Sequence, residues 1–260
     1  DEREITMNIR FLGTGASNWP DSLRGTKEYR RFSSVMADDA LLIDPGRHIF
    51  GFAEDFGYHH LFDNTEVILL THSHEDHLDI ENLQSLCAEK KSILYCEEHA
   101  ASAVRNVKNL EICCVSCFQP MKINGYTVTA VPANHGTDIE NEQALHYIIE
   151  KEGKRFFYGC DGAWIRRDSW YYMRDFQYDL MVFDGTLGDD YGDYRIFEHN
   201  NLKMVELMTE TVRNTKVLKE DGKILISHLA YGLHGTQAEV EKRLESLNIG
   251  AAYDGMTVQI

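Results

Sequence analysis

Short apolar runs separated by polar turns recur along the whole chain, and their lengths are those of strands. Residues 9–12, 35–37 and 40–43 predict three early strands, with the polar stretch 18–31 between the first and second. Residues 66–71 predict a fourth, which runs straight into a cluster of histidines and acids; a helix follows from Leu78. Next come a strand at 93–96, a helix at 98–107 and a strand at 126–131. Residues 144–150 and 155–160 flank Glu152-Gly153-Lys154, which reads as a hairpin turn. The second half alternates differently, with a helix at 167–176, a strand at 179–184 and a long amphipathic helix at 201–217. That helix turns Leu202, Val205, Leu207, Met208 and Val212 inward. A short strand at 223–227, a helix at 236–247 and a last strand at 256–260, entered through Tyr253-Asp254-Gly255, complete the chain.

Strands therefore occur in both halves, with helices interspersed but not in strict βαβ order. That pattern predicts an α+β protein: two mixed sheets packed face to face with helices outside, an αββα four-layer sandwich. No composition break divides the chain, so residues 1–260 are read as one domain. The longest apolar runs, such as Val67-Ile68-Leu69-Leu70, fall far below the ~20 residues that span a bilayer. No membrane contact is expected, and with no basic-then-apolar leader the expected location is cytoplasmic. Cys87, Cys96, Cys113, Cys114, Cys117 and Cys160 are then expected as reduced thiols. Cys113-Cys114-x-x-Cys117 lacks a second cysteine pair, so burial along a strand is expected there rather than zinc.

Charge narrows the partners. Lys plus Arg number 26 and Asp plus Glu 42, a formal net charge of −16. Proteins that track long polyanions carry basic surfaces, so no long nucleic acid is expected. A small phosphorylated substrate held by metals is not excluded.

The chemistry is concentrated in His72-Ser73-His74-Glu75-Asp76-His77. Residues two apart in extended chain point the same way, so His72 and His74 can grip one cation together. Asp76 and His77 open the following helix and point elsewhere, towards a second cation. Ionisable groups this dense repel one another unless a cation organises them.

This segment matches the His-x-His-x-Asp-His signature of the metallo-β-lactamase superfamily, and further landmarks follow in that family's order. Phe11-Leu12-Gly13-Thr14-Gly15-Ala16-Ser17 resembles its opening strand and glycine turn, and Leu42-Ile43-Asp44-Pro45-Gly46 its Asp-x-Gly turn. The resemblance implies a first ion on His72, His74 and His135 and a second on Asp76, His77 and His228, with Asp161 shared. Two divalent ions are implied, and zinc, manganese and iron(II) all suit these donors. Such a pair carries a bridging hydroxide for hydrolysis. Asp76 can also orient that hydroxide.

The opening Leu12-Gly13-Thr14-Gly15 and the stretch Ala252-Tyr253-Asp254-Gly255-Met256 resemble the branch that holds cyclic phosphodiesterases and ribonuclease Z. His199, 29 residues before His228, is placed like that branch's extra histidine, which contacts phosphate or protonates the leaving oxygen. His234 is a further candidate at the pocket mouth, and Trp164, Trp170, Tyr171 and Tyr172 are candidates for its wall or for core. Asn18-Trp19-Pro20-Asp21 with Lys27, Arg30 and Arg31 could form an anion-reading rim. Only 25 residues separate His135 from Asp161, too few for the tRNA-grasping arm of ribonuclease Z, and residues 18–31 lack the cysteines of the phosphonate-pathway enzyme's zinc insertion. The expected activity is a metal-dependent phosphodiesterase on a small, cyclic or linear, phosphodiester. The alternatives are a lactone, thioester or β-lactam hydrolase on the same centre, or a non-catalytic metal-binding protein. A homodimer is left open.

Overall fold

The computed structural model describes residues 6–191 and 193–260. Residues 1–5 and Gly192, part of the span read as one domain, lie outside the described residues. The elements run β1 (Asn8–Gly13), β2 (Ser34–Ala37), β3 (Leu41–Ile43), α1 (Ile49–Asp55), β4 (Val67–Leu69), α2 (Ile80–Leu86) and β5 (Ser92–Cys96). Then come α3 (Ala101–Val104), β6 (Leu110–Cys114), β7 (Met121–Ile123), β8 (Tyr126–Pro132), β9 (Leu145–Lys151), β10 (Lys154–Gly159) and α4 (Arg167–Met173). The chain ends with β11 (Tyr178–Asp184), α5 (Leu202–Asn214), β12 (Leu218–Ser227), α6 (Gln237–Glu245), β13 (Gly250–Ala251) and β14 (Thr257–Gln259).

The strands form two seven-stranded mixed sheets, β14-β1-β2-β3-β4-β5-β6 and β13-β12-β11-β10-β9-β8-β7. Within the first, β14 to β3 pair antiparallel and β3 to β6 parallel. The second repeats the pattern, with β7 to β10 antiparallel and β10 to β13 parallel. Alternate residues decide the layers. Ile9, Phe11, Val35 and Leu69 of one sheet meet Val128, Tyr147, Tyr158 and Val182 of the other in a core between the sheets. Outside the first sheet, Leu12, Met36 and Ile68 pack on Phe52, Leu83 and Val104 of α1 to α3. Outside the second, Met181, Phe183 and Ile226 pack on Met173, Val205 and Val240 of α4 to α6. The architecture is the expected αββα sandwich.

Local chemistry explains most boundaries. Glu152 (φ 50°) and Gly153 (φ 83°) form the two-residue turn that joins β9 to β10. Asp79, Asn201 and Thr236 cap α2, α5 and α6 by accepting backbone N–H groups. Four expectations are corrected. Leu207 is 41% exposed, because the inward stripe of α5 is 202, 205, 208 and 212, and position 207 falls on its flank. The predicted 98–107 helix shrinks to α3: residues 98–100 form a turn in which Glu97 Oε2 accepts from His99 N and Ala100 N. Burial along a strand fails for the 113–117 cysteines: Cys114 is exposed and Cys113 and Cys117 half-buried, with Cys117 past the end of β6, because β6 is the last strand of its sheet. Arg30 and Arg31 form no rim, being 3% and 4% exposed within a polar network.

That network ties the chain's ends together. Asp254 accepts from Thr14 Oγ1 (2.9 Å), Arg31 N (2.8 Å) and Arg31 Nη1 (3.0 Å), while Arg31 also pairs with Asp55. Arg30 donates to Thr14 Oγ1, Ala252 O and Gln237 Oε1. The turn after β1 must pass close to Phe32, since a Cβ on Gly13 would lie 1.8 Å from its carbonyl oxygen. Breaking a buried ion pair strands its partner, so Asp254→Ala is expected to cost about 3–5 kcal/mol in urea unfolding. A loss below about 1 kcal/mol would contradict this role.

Candidate metal centre

One end of the sandwich gathers the C-terminal ends of β3, β4, β8, β10, β11 and β12, where side chains leave the sheets and loops begin. Parallel strands place their following loops on one edge, which is where α/β sheets build sites. Asp44 follows β3, the run 72–77 follows β4, His135 follows β8 and Asp161 follows β10. Asp184 ends β11, and His228 follows β12 in a left-handed backbone conformation (φ 61°) that turns the chain sharply at the strand end.

The seven residues expected as ligands converge here. His72 Nε2 lies 3.0 Å from His74 Nδ1, which lies 3.2 Å from His135 Nε2. On the other side, His77 Nε2 lies 3.2 Å from His228 Nε2, and Asp76 Oδ2 lies 3.5 and 3.4 Å from those two nitrogens. Asp161 Oδ2 sits between the trios, 3.4 Å from His135 Nε2, 3.5 Å from His228 Nε2 and 3.9 Å from His77 Nε2. Within each trio the donor atoms lie within 4.8 Å of one another, close enough to share an ion.

The remaining nitrogens show why these faces carry lone pairs. His77 Nδ1–H donates to Asp44 Oδ2 at 2.8 Å, His228 Nδ1–H to Thr186 Oγ1 at 2.8 Å and His135 Nδ1–H to Glu198 O at 3.2 Å. His72 Nδ1–H reaches Thr71 Oγ1 at 3.0 Å, and that hydroxyl passes its proton to Asp44. A histidine whose outer nitrogen donates turns its inner nitrogen to the centre, free to ligate once any second proton has left, the arrangement found around metal-bound imidazoles. Asp44, Thr71, Asp184 and Thr186 carry this shell; the sequence marks Asp44 only as part of the Asp-x-Gly turn and gives no sign of the other three. Asp184 accepts from Thr186 N, Thr186 Oγ1, Asn200 N and His199 Nδ1.

The charges demand a cation. Asp161 is 3% exposed, its Oδ1 has no hydrogen-bond partner, and no described residue donates a hydrogen bond to its Oδ2. Burial opposes its ionisation, yet His228, His199 and His135 outweigh burial and hold it well below the usual carboxylate range. Asp76 is held low in the same way by His77 and His228. Burial, then the charges of His77 and His135, keep His72 far below its ordinary value and therefore neutral. Burial also resists charging of His77 and His228, but Asp76 and Asp44 lift His77, and Asp161 with Asp184 lifts His228 to about 9. Protons thus compete for these two nitrogens, and a divalent ion displaces them while satisfying both carboxylates. The donor set fits such ions.

His199 stands beside Asp161. Its Nδ1 is 2.7 Å from Asp161 Oδ1, out of line with the N–H, and 3.1 Å from Asp184 Oδ2, which receives that proton. Burial opposes its charge, but Asp161 and Asp184 push it up to about 11. Its Nε2 makes no hydrogen bond with a described residue, and its ring stacks 5.7 Å from that of His228. His234 is drawn elsewhere: Nε2–H is committed to Gly185 O (2.8 Å), bracing the turn that carries Thr186. Trp170 and Tyr172 pack against the outer core of the second sheet, whereas Trp164 and Tyr171 are 42% and 46% exposed. Asn200, which the sequence did not single out, is 2% exposed; it donates to Gly162 O and accepts from Trp164 N.

A family model for the β-lactamase superfamily domain matches residues 40–226. The chain belongs to the β-lactamase superfamily. Solved structures share the superfamily fold over nearly the whole chain. The metallo-β-lactamase fold protein YhfI from Bacillus subtilis is 16% identical with a TM-score of 0.76, covering 98% of this chain and 100% of that one. A diphosphatase from the PhnP family is 18% identical with a TM-score of 0.73, covering 97% of each chain. The short form of human tRNase Z is 14% identical with a TM-score of 0.67, covering 96% of this chain and 98% of that one. No curated protein matches the chain significantly. Among the described residues no helix is long and apolar enough to cross a membrane.

If the centre binds divalent ions at a thousandfold excess over their dissociation constant, they stabilise the fold by about 4 kcal/mol. Chelator-treated protein of this size is then expected to melt roughly 10 °C lower than metal-restored protein. Identical melting curves in differential scanning calorimetry would contradict a metal-holding centre.

Proposed function

We propose that this superfamily member is a two-metal hydrolase acting on small phosphodiesters. His72, His74 and His135 would hold one ion and Asp76, His77 and His228 the other, with Asp161 placed to serve both. Zinc, manganese or iron(II) suits this nitrogen and oxygen set. Divalent ions bound there supply Lewis acidity, lowering the pKa of a water and neutralising charge on a phosphoryl oxygen. Asp76 turns Oδ2 towards His77 and His228, which leaves Oδ1 to accept a hydrogen bond from the attacking water and orient it.

The observation that carries the phosphodiester reading is His199. It lies at the centre but outside the two trios, with Nδ1–H held by Asp184 and Nε2 left for a ligand. Displacement at phosphorus expels an alkoxide, and a hydrogen-bond donor beside the metals can protonate it as the bond breaks. Asp184 fixes the ring's orientation through Nδ1 while Nε2–H faces the leaving oxygen. The net charge of −16 favours a small substrate over a long nucleic acid, in which phosphate neutralisation dominates affinity. The diphosphatase of the PhnP family that shares the fold agrees with this reading. Six unbridged cysteines agree with a reducing, cytoplasmic setting.

The test uses a 2′,3′-cyclic nucleotide, a small phosphodiester whose leaving oxygen is an alkoxide, with metal-restored protein. His199→Ala is expected to lower kcat by roughly 10²–10⁴-fold while the metal content stays that of the parent. Full turnover in that variant removes the ground for a phosphodiesterase. Rapid turnover of lactones or thioesters by the parent, with none of the phosphodiester, would favour the carboxyl-derivative reading instead.

A further inference from the structure

The side chain between the first two histidines has its own partner. Ser73 sits between His72 and His74, whose rings turn towards one point, and it projects the other way. There Glu142 receives both of its donors: Ser73 N donates to Oε1 at 2.8 Å and Ser73 Oγ to Oε2 at 2.5 Å. Glu142 belongs to the loop 133–144 between β8 and β9, which also carries His135. That loop is internally braced. Gln143 Nε2 donates to Ala133 O and Ala144 O, and Thr137 Oγ1 donates to Ile139 O. Leu145 N also bonds Thr71 O at 2.9 Å, so the loop's exit is stitched to the residue before His72.

The three imidazoles of one trio thus come from two loops, and Glu142 with Leu145 joins those loops. His74 needs the join most. Its outer nitrogen, Nε2, has only the 95%-exposed Asp138 near it, at 3.8 Å, whereas the other four histidines of the two trios each donate to an acceptor within the site. The orientation of His74 is therefore set through its backbone. We propose that Glu142 is a positioning residue for the three-histidine half of the centre, acting through Ser73. It rests on reading His72, His74 and His135 as metal ligands.

Cobalt(II) titration of the metal-free full chain, followed by its visible spectrum, tests this. Loss of a partner behind metal ligands typically weakens binding by about 10- to 100-fold. Glu142→Ala is expected to weaken one of the two cobalt sites by that factor and leave the other unchanged. Ser73→Ala, which removes one hydrogen bond and keeps the backbone donor, is expected to give a smaller loss of the same site and serves if Glu142→Ala does not fold. Glu142→Gln keeps an oxygen acceptor and is expected to recover most of the affinity, which a purely electrostatic effect of the carboxylate would not allow. Unchanged cobalt affinity in both alanine variants, or a Gln variant as weak as Ala, overturns the positioning role. A parent chain that binds no cobalt overturns the metal reading itself, and this inference with it.

Discussion

A carboxylate taken out of water needs a hydrogen-bond donor or a cation, because its ionised form is otherwise too costly to bury. Asp161 has the burial without the donor. Its Oδ1 is orphaned, and its Oδ2 points into a ring of imidazole nitrogens. The surrounding shell is arranged on the same terms. Asp44, Thr186 and the Glu198 carbonyl each take the outer proton of a histidine, so the inner nitrogens of His77, His228 and His135 face one another across the centre. Without metal, protons held by His77 and His228 offset the buried carboxylates, and a divalent ion placed among them displaces those protons. The centre is therefore an arrangement whose own energetics call for metal.

The sandwich supplies the convergence. Each sheet ends its antiparallel part in parallel strands, and those strands deliver their C-terminal ends to one edge. The first sheet gives Asp44 and the run 72–77; the second gives Asp161, Asp184 and His228 from its parallel strands and His135 from β8, which lies in the antiparallel part but runs in the same direction as β10. Close approaches hold the loops in place. A Cβ on Gly46 would lie 2.8 Å from Asp76 O, so the turn that carries Asp44 presses directly on the loop that carries Asp76. Leu229 N bonds Thr14 O, and Ala16 N bonds Leu229 O, which ties the residue after His228 to the glycine turn that follows β1. The Arg31–Asp254 network anchors that turn from behind.

How much of this was legible in the sequence depended on distance along the chain. The run 72–77 is contiguous and follows an apolar strand, so its chemistry could be read directly. His135, Asp161 and His228 are ordinary residues taken singly, and only their order within a family pattern linked them to that run. Asp44 is legible only as part of the Asp-x-Gly turn, and Thr71 and Thr186 not at all, because nothing about a lone threonine signals that it links an imidazole to a carboxylate by hydrogen bonds; that role exists only once strand ends meet. Arg30 and Arg31 misled for the same reason. In a polar stretch they read as a solvated rim, but the fold brings Asp254 to Arg31 from 223 positions away and buries the pair. Leu207 was placed inward by counting apolar residues, whereas the helical angle set by 202, 205, 208 and 212 puts it on the flank.

The most direct test of the two-ion centre is a crystal structure of metal-restored protein with anomalous diffraction collected at the metal's absorption edge. The account predicts two peaks roughly 3.5–4 Å apart, one among His72, His74 and His135 and one among Asp76, His77 and His228, with Asp161 oxygen touching both. A single peak, or strong peaks elsewhere with these seven side chains unliganded, would contradict it.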